Sequence, residues 1–351
     1  MSGTKNKIKT GISGFGRSGK VFHAPIINSC DETILYGINT SNDDARDFIK
    51  KNYPHTTVFT SYEDLLNSEI DLIVLPTPND THFELAKKAL EAGKNVVIDK
   101  PMTITSTQAS ELIKISKEKN LVLSVYHNRR WDTDFLTLKN ILSEKRLGTI
   151  HEAEINFNRF RDYLKDDWRE KAIPGAGILY DLGPHLIDQA LNLFGMPVEL
   201  YADIRKERSE ANIEDSFLII LFYQKLKVIL KAGMLASYPG PKILVQGSKG
   251  AYLKFGLDPQ ENLLKEGTKP QDLPDHWGKE SYEKSPLIIN PDGTRQKVIA
   301  IPGDYRGYYS NIADAINNNK DLEVSALDGY NTIKIIEAAF KASQEKRTIK
   351  L

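Results

Sequence analysis

The sequence predicts an α/β protein in two parts, an N-terminal doubly wound parallel sheet and a C-terminal part built on a mainly antiparallel sheet. Short apolar runs alternate with helical patterns up to residue 127, and beyond it apolar and polar residues alternate with period two. Continuous apolar runs are typical of parallel strands buried on both faces, whereas alternation is typical of strands with one covered face. We therefore expect one domain at residues 1–127 and a second at residues 128–351.

Composition excludes several classes of protein. The 351 residues suffice for about two domains. The 47 basic and 47 acidic residues balance, which argues against nucleic acid or an anionic membrane as the main partner. The single cysteine, Cys30, excludes an internal disulfide and makes a cysteine metal site unexpected. No apolar run approaches the ~18 residues of a membrane span, and the first residues lack an apolar signal core, so we expect a cytoplasmic protein.

The first strand leads into a glycine-rich turn, Gly14-Phe15-Gly16-Arg17-Ser18-Gly19. Gly14 allows a tight turn, Gly16 lets the backbone approach a pyrophosphate, and Gly19 lets the following helix pack closely on the strand. The free N–H groups at the start of that helix favour phosphate charge. The pattern predicts a dinucleotide site, with a plain strand-turn-helix as the alternative. Pro25 should bend or restart the helix at residues 20–29.

The second strand, Glu32–Asn39, ends in neutral residues, Asn39-Thr40-Ser41-Asn42. NAD-binding proteins usually place an acid here, which accepts hydrogen bonds from the adenosine ribose 2′-OH. These side chains would not repel a 2′-phosphate, and Arg17 or Arg46 would add positive charge, so the pattern favours NADP over NAD. The alternative is that residues 40–43 only cap the helix at Asp44–Lys51, and the two interpretations are compatible.

The alternation of strands and helices continues to residue 126. Further strands are predicted at Val58–Thr60, Ile70–Leu75, Asn95–Ile98 and Leu121–Tyr126. The helices between them begin with three capping-box patterns, Ser61-x-x-Asp64, Thr81-x-x-Glu84 and Thr105-x-x-Gln108.

Ligands of doubly wound sheets gather at the carboxyl ends of the strands, and polar clusters fall there. Lys100 follows a buried strand directly and is fixed by Pro101, so it is well placed to reach a ligand; the alternative is a solvated loop lysine. The candidate cofactor-binding residues are Gly14, Phe15, Gly16, Arg17, Ser18, Gly19, Asn39, Thr40, Ser41, Pro76, Thr77, Asn79, His82, Lys100, Pro101 and Asn128.

The second half is predicted to hold a sheet flanked by helices. Strands are expected at His151–Phe157, Val198–Ile204, Glu214–Tyr223, Leu226–Leu235, Pro241–Gln246 and Ala251–Phe255, and helices at Asp132–Ser143, Tyr305–Asn317 and Ala326–Ala342. The polar stretch Asp258–Pro286 is interpreted as an insertion or lid loop. If the second face of the sheet is also apolar, a partner subunit is its simplest cover.

Asp181 and His185 lie four residues apart in the apolar helical pattern of Gly175–Gly195, which would put them on one helix face. Pro184 either marks the first helical turn or kinks a longer helix. As an isolated pair, Asp181 would be interpreted as a capping or turn residue and His185 as a core histidine with its hydrogen bonds satisfied. Beside a redox cofactor a histidine can take the proton of an alcohol hydroxyl, because it titrates near neutral pH.

Three motifs resemble those of the Gfo/Idh/MocA oxidoreductases: GISGFGRSGKVFHAP, DKP followed by a helix, and YDLGPHLIDQALNLFG. The resemblance covers nearly the whole chain. It implies a Rossmann domain, a C-terminal α/β domain with a large open, mainly antiparallel sheet, and dimers or tetramers built through that sheet. The family's catalytic lysine falls on Lys100, with Asp99 in place of the usual glutamate. The aspartate and histidine of its second motif fall on Asp181 and His185, and Asp188 matches a further acidic position.

The segments VYHNRRWDTDFLTLK, WREK and IIEAAFKASQEKRTIKL are similar to the family's branch of bacterial NADP-dependent scyllo-inositol dehydrogenases. This implies reversible NADP-linked oxidation of a ring hydroxyl of a cyclic polyol, with no metal. An NADP-dependent sugar or aldose dehydrogenase and a non-catalytic NADP-sensing regulator remain as alternatives. The candidate substrate-binding residues are Lys100, Asn128, Arg130, Tyr163, Trp168, Asp181 and His185.

Overall fold

The computed structural model describes residues 6–351, which form two compact units. The first unit comprises the chain up to Asn128 together with Gln260–Trp277 and Asp304–Tyr330. The second comprises Arg129–Pro259, Gly278–Gly303 and Asn331–Leu351. The sequence suggested two consecutive domains, whereas in the structure two later segments return to the first unit.

The chain forms fifteen strands and ten α-helices within the described residues. The strands are β1 (Ile8–Ser13), β2 (Thr33–Asn39), β3 (Thr57–Phe59), β4 (Leu72–Leu75), β5 (Asn95–Ile98), β6 (Leu123–Val125), β7 (Ile150–Asn156), β8 (Glu199–Arg205), β9 (Ser216–Phe222), β10 (Lys227–Gly233), β11 (Ile243–Gly247), β12 (Gly250–Lys254), β13 (Leu287–Ile289), β14 (Arg295–Lys297) and β15 (Ile349–Lys350). The helices are α1 (Ala24–Ser29), α2 (Asp43–Asn52), α3 (Tyr62–Leu66), α4 (His82–Glu91), α5 (Ser106–Glu118), α6 (Thr133–Ser143), α7 (Ile178–Phe194), α8 (Pro259–Lys265), α9 (Arg306–Asn318) and α10 (Ala326–Glu345).

The sheet of the first unit is parallel throughout, with strand order β3-β2-β1-β4-β5-β6. This confirms the predicted doubly wound sheet. All four residues of β4 are 0% exposed, as expected for a strand covered on both faces. The strand order reverses between β1 and β4, and ligands of such folds bind beyond the carboxyl ends of the strands at that point.

Two of the three predicted capping boxes start helices through the expected hydroxyl. The Ser61 hydroxyl accepts from the Asp64 N–H, and Thr105 and Gln108 make both bonds of a full box. The prediction for Thr81 was wrong. A 3-10 turn at Asn79–Thr81 already gives Thr81 helical backbone angles, so its side chain makes no cap and is hydrogen-bonded to Thr77 instead.

The second unit contains a nine-stranded sheet with order β14-β13-β12-β11-β7-β10-β9-β8-β15. Among the described strands of this sheet only β7 and β10 pair in parallel, so the prediction of a mainly antiparallel sheet is confirmed. Helix α7 packs against β7, β9 and β10, and alternate residues of these strands, such as Phe217, Ile219 and Leu221, are buried.

The other face of this sheet mixes apolar and charged side chains. Leu218, Ile220 and Phe222 of β9 are partly exposed there. Lys227 and Lys231 of β10 pair with Glu152 and Glu154 of β7, at 2.6 and 3.1 Å.

The stretch Asp258–Pro286, interpreted from sequence as an insertion or lid loop, is partly helical, and its role as a lid stays a prediction. The stretch contains α8 and two 3-10 turns, Pro270–Asp272 and Tyr282–Lys284. Residues 260–277 of this stretch belong to the first unit. Trp277 is buried and its indole N–H donates to Gln260 at 3.0 Å, and the Gln260 side-chain oxygen also accepts the Tyr305 N–H at 2.8 Å. The proline and glycine content of the stretch indicated loop, but a buried tryptophan outweighs that local preference.

None of the helices between residues 6 and 351 is both long enough and apolar enough to cross a membrane.

Candidate functional site

The glycine turn of the first unit has the shape needed by a diphosphate. Gly14 has a positive φ of 97° and donates its N–H to the Asn39 carbonyl at 3.1 Å. A methyl group added at Gly19 would lie 2.5 Å from the Gly14 carbonyl oxygen, whereas one added at Gly16 would meet nothing within 4 Å. Gly14 and Gly19 therefore shape the turn, and Gly16 leaves open space in front of its backbone, as a bound pyrophosphate requires.

The helix that follows this turn begins with a π-helical segment, Gly19–His23, and then restarts as α1. Pro25 lies at the start of α1. Proline lacks an N–H and its ring clashes with the carbonyl four residues earlier, and a widened turn accommodates both effects. The prediction that Pro25 would bend or restart the helix is confirmed. The segment carries His23, whose side chain is fully buried.

Asp99 is a buried carboxylate at the carboxyl end of β5, just before Lys100. One oxygen, Oδ1, accepts the Lys100 main-chain N–H at 2.7 Å, and Oδ2 accepts the Ser18 hydroxyl at 2.5 Å. The His23 Nε2 atom lies 3.6 Å from Oδ2. Burial alone would raise the pKa of Asp99, but the nearby His23 imidazole, the charge of Lys100 and the Ser18 hydroxyl hold this pKa well below its usual range.

His82 joins the loops that follow β4 and β5. Its Nδ1 lies 2.8 Å from the Pro101 carbonyl and its Nε2 lies 3.0 Å from the Thr77 carbonyl. Burial lowers the pKa of His82, and a neutral imidazole donates to only one of these two oxygens. Asn79 is also buried, and the Lys100–Pro101 bond is cis. The structure gives His82 a structural role, and its contact with a cofactor stays a prediction.

The loop after β2 confirms that its residues cap the next helix, and the preference for NADP stays a prediction. The Asn42 side chain caps α2 by accepting the Ala45 N–H at 2.8 Å. Arg46 of α2 reaches back over the loop, donating to the carbonyls of Thr40 and Ser41 at 3.4 and 3.5 Å. A guanidinium therefore lies beside the neutral residues that end β2.

The Asn39 side chain is engaged within the protein. It accepts from the Ser13 hydroxyl at 3.2 Å and donates to the Phe59 carbonyl at 3.3 Å. Ser41 and Asn42 are exposed, as are Gly16 and Arg17.

In the second unit, Asp181 and His185 are one helical turn apart on α7, which begins at Ile178. Pro184 lies inside this helix, so of the two alternatives drawn from sequence the structure shows the longer one. The Asp181 carboxylate faces Arg169 at 3.4 Å and Arg159 at 4.0 Å. His185 is 8% exposed.

Glu214 also lies in this region. The sequence placed it at the start of a predicted strand and gave no sign of its unusual environment. It packs at the start of α7, where its main-chain carbonyl accepts the Ile178 N–H at 3.1 Å and its carboxylate lies against Gly177. Gly177 has φ 88° and no room for a side chain beside Glu214. Burial raises the pKa of Glu214 to about 7, although hydrogen bonds from main-chain N–H groups oppose the shift.

The remaining predicted substrate residues differ in how they are held. Arg130 makes a buried bidentate pair with Asp188, at 2.6 and 2.9 Å. Asn128 is buried, Trp168 lies under the Arg169 guanidinium at 4.5 Å from its ring centroid, and Tyr163 is 61% exposed. The pair with Asp188 assigns Arg130 a structural role, and its contact with substrate stays a prediction.

The structure thus brings the predicted residues together in two sets. Gly14, Ser18, Asn39, Thr77 and Lys100 belong to the first unit, and Asp181, His185, Arg130, Tyr163 and Trp168 belong to the second. Within the first set, main-chain and side-chain hydrogen bonds join the turns after β1, β2 and β5.

Comparison with known proteins defines the class of protein. Residues 8–127 match the family model of the oxidoreductase NAD-binding Rossmann fold, and residues 139–351 match that of the oxidoreductase C-terminal α/β domain. The chain therefore belongs to the Gfo/Idh/MocA family of oxidoreductases.

Particular relatives cover nearly the full length of this chain. It is 42% identical to the uncharacterized oxidoreductase YdgJ of Escherichia coli, over 98% of this chain and 99% of that protein. It is 40% identical to the scyllo-inositol 2-dehydrogenase (NADP(+)) IolW of Bacillus subtilis, over 98% of this chain and 96% of that protein. The solved structure of the Bacillus subtilis oxidoreductase YvaA superposes with a TM-score of 0.94 at 39% identity, covering 99% of each chain.

The raised pKa of Glu214 predicts a specific dependence of stability on pH. Between pH 5 and 7 the folded protein retains a proton that the unfolded chain has lost, so this residue makes the free energy of unfolding fall as pH rises. The Glu214→Gln variant lacks this titrating group. From pH 5 to pH 8 the free energy of unfolding should therefore fall by about 1–3 kcal/mol more in the unmodified protein than in the variant. Urea unfolding of both proteins at the two pH values measures this, and a difference between them that does not change with pH would contradict it.

The glycine turn predicts opposite outcomes for two alanine variants. Gly16→Ala should change the free energy of unfolding by less than about 0.5 kcal/mol, because its methyl group enters open space, yet weaken dinucleotide binding at least about tenfold. Gly19→Ala should cost about 1–3 kcal/mol of stability, because its methyl group meets the Gly14 carbonyl. Thermal unfolding and fluorescence titration with NADPH separate the effects. Equal loss of stability in both variants would contradict the assignment.

Proposed function

We propose that this oxidoreductase interconverts a cyclic polyol and its ketone with NADP, and that the pair is scyllo-inositol and scyllo-inosose. The observation that carries the proposal is the 40% identity, over nearly the full length of both chains, to a Bacillus subtilis protein named as an NADP-dependent scyllo-inositol 2-dehydrogenase. The residues Lys100, Asp181 and His185, to which we assign the chemistry, are all present.

The residues have separate tasks in this proposal. His185 accepts the hydroxyl proton in the direction of oxidation, because imidazole titrates near neutral pH. Lys100 donates a hydrogen bond to the same oxygen and stabilises the negative charge that develops on it. Asp181, held by Arg159 and Arg169, orients a neighbouring hydroxyl or His185. Bound NADP supplies the redox chemistry, and no metal is needed.

The preference for NADP is supported by the loop after β2. No carboxylate ends this strand, and the Arg46 guanidinium lies against the Thr40 and Ser41 carbonyls. A 2′-phosphate at the usual position of the adenosine ribose would therefore meet neutral side chains and the Arg46 guanidinium, which also pairs with Asp43 at 2.7 Å.

The proposal extends to the oligomeric state of the protein and to its location in the cell. The partly exposed Leu218, Ile220 and Phe222 of β9 form an apolar strip that a second copy would cover, giving a homodimer or homotetramer through this sheet. Paired lysines and glutamates beside the strip would fix the register of such a contact. We propose that the enzyme works in the cytoplasm on a small molecule.

A substrate panel tests the function. Inositol isomers and aldoses are offered with NADP and with NAD, and the absorbance of the reduced cofactor is followed. Turnover of scyllo-inositol above all other compounds is the expected result. Faster turnover of an aldose would support the sugar dehydrogenase instead. Tight NADP binding without turnover of any compound would support the non-catalytic regulator.

The assigned roles predict the effect of single substitutions on the favoured substrate. Lys100→Met and His185→Gln should each lower kcat by about 10²–10⁴-fold, since each removes a group that stabilises or accepts charge in the reaction. Lys114→Met, which changes an exposed lysine of α5, is the matched control and should retain normal turnover. Near-normal kcat in both active-site variants would refute the assignment.

Arg46 provides the test of cofactor preference. Arg46→Ala should lower kcat/KM for NADP by about 10- to 100-fold, the loss expected for a charge-assisted hydrogen bond, and change kcat/KM for NAD by less than about threefold. Lys50→Ala, on an exposed face of the same helix, serves as control. An equal fall with both cofactors would show that Arg46 does not read the 2′-phosphate.

A further inference from the structure

We propose that Asp99 is a positioning residue that couples the glycine turn to Lys100, so that nucleotide binding and placement of the lysine depend on one buried carboxylate. The proposal rests on the proposed role of Lys100 and goes beyond it, because Asp99 acts through Lys100 and is assigned no contact of its own with the reacting atoms.

The two oxygens of Asp99 bind different loops. Oδ1 accepts the main-chain N–H of Lys100 at 2.7 Å, and Oδ2 accepts the Ser18 hydroxyl at 2.5 Å. Ser18 stands between Gly16 and Gly19, in the turn to which we assign the pyrophosphate of the cofactor. The backbone that carries Lys100 and the turn that holds the nucleotide are thus joined through three atoms of a single carboxyl group.

The carboxylate itself has little freedom to move. His23 approaches its Oδ2 atom at 3.6 Å, and the Nδ1 atom of His23 is 2.6 Å from the Tyr309 hydroxyl. The Tyr126 ring packs over His23 with 4.2 Å between ring centroids. Asp99, His23, Tyr126 and Tyr309 are all buried, so a displacement of Ser18 is transmitted to Lys100 and is not absorbed by solvent.

The length of the side chain is part of this arrangement. Both hydrogen bonds of Asp99 are short, and its surroundings are closed. A glutamate is one methylene longer, so it would hold its carboxyl group at a different distance from the Ser18 hydroxyl and the Lys100 N–H. Asparagine keeps the shape but offers one acceptor oxygen, so it can satisfy only one of the two donors.

The Ser18→Ala variant provides the first test, because it removes one bond and leaves Lys100 and Asp99 in place. NADPH affinity is measured by fluorescence titration, and kcat is measured at saturating NADP with the favoured polyol. A residue that served only nucleotide binding would raise Kd and leave kcat unchanged. The coupling predicts that Kd rises and that kcat also falls, roughly fivefold or more. An unchanged kcat overturns the proposal.

A double-mutant cycle provides the second test. Asp99→Asn should lower both NADPH affinity and kcat, and Ser18→Ala added to it should have little further effect, since the bond is already impaired. Additive effects would overturn the coupling. Asp71→Asn is the matched control, because Asp71 also accepts a main-chain N–H, from Lys9 at 2.8 Å, in the same sheet. It should leave Kd and kcat unchanged.

A third readout does not require turnover and so separates this proposal from the proposed function. NADPH should slow hydrogen exchange of the peptide that contains the Lys100 amide in the unmodified protein, and slow it less in Ser18→Ala saturated with NADPH. Equal protection in both proteins overturns the coupling. If Asp99→Asn does not fold, the Ser18→Ala measurements decide. If no polyol is turned over, the proposed function fails while the exchange measurement still tests Asp99.

Discussion

The close approach of Gly19 to the Gly14 carbonyl is the constraint on which the first unit depends. Because no side chain separates them, the helix after β1 starts directly beneath the turn. The wide π-helical segment that follows brings His23 inward, beneath Asp99. The strand order then places the loop after β4 beside this turn, where Gly14 faces Thr77. One steric relation between two glycines thus sets the position of the turn, the histidine and the loops around Lys100.

Several buried charged groups of the described residues, in both units, are held by hydrogen-bond donors or by partners of opposite charge. Asp99 is held by Ser18, His23 and the Lys100 N–H, and Arg130 pairs with Asp188. Lys242 in the second unit lies between Asp132 and Asp134, at 3.0 and 2.5 Å. Burial alone would lower the pKa of Lys242, but the two carboxylates raise it. Removing one partner of such a group leaves an uncompensated buried charge, so these residues order the loops that carry the candidate site.

Much of the fold and of the glycine turn could be predicted from sequence, because periodicity and glycine spacing are local signals. The parallel sheet, the glycine turn and the Thr105 cap follow directly from neighbouring residues. The surroundings of Asp99 could not be predicted, since its partner Ser18 is 81 positions away and Tyr309, which contacts its neighbour His23, is 286 positions from that histidine. Strands β13, β14 and β15 were missed because two or three residues are too few to show alternation. Glu214 gave no signal, as its altered pKa arises from packing against α7. The joint action of Lys100, Asp181 and His185 stays a prediction.

The interleaved course of the chain has a consequence for protein synthesis. Helix α9 belongs to the nucleotide-binding unit, where Tyr308 bonds to Ser124 and Tyr309 to His23. The six-stranded sheet is complete at Val125, yet these tyrosines leave the ribosome almost two hundred residues later. The nascent sheet must therefore remain on the ribosome, with part of its core uncovered, while nearly the entire second unit is translated. For this chain, cotranslational folding of the Rossmann unit ends late, and an N-terminal fragment alone would expose apolar surface to chaperones and proteases.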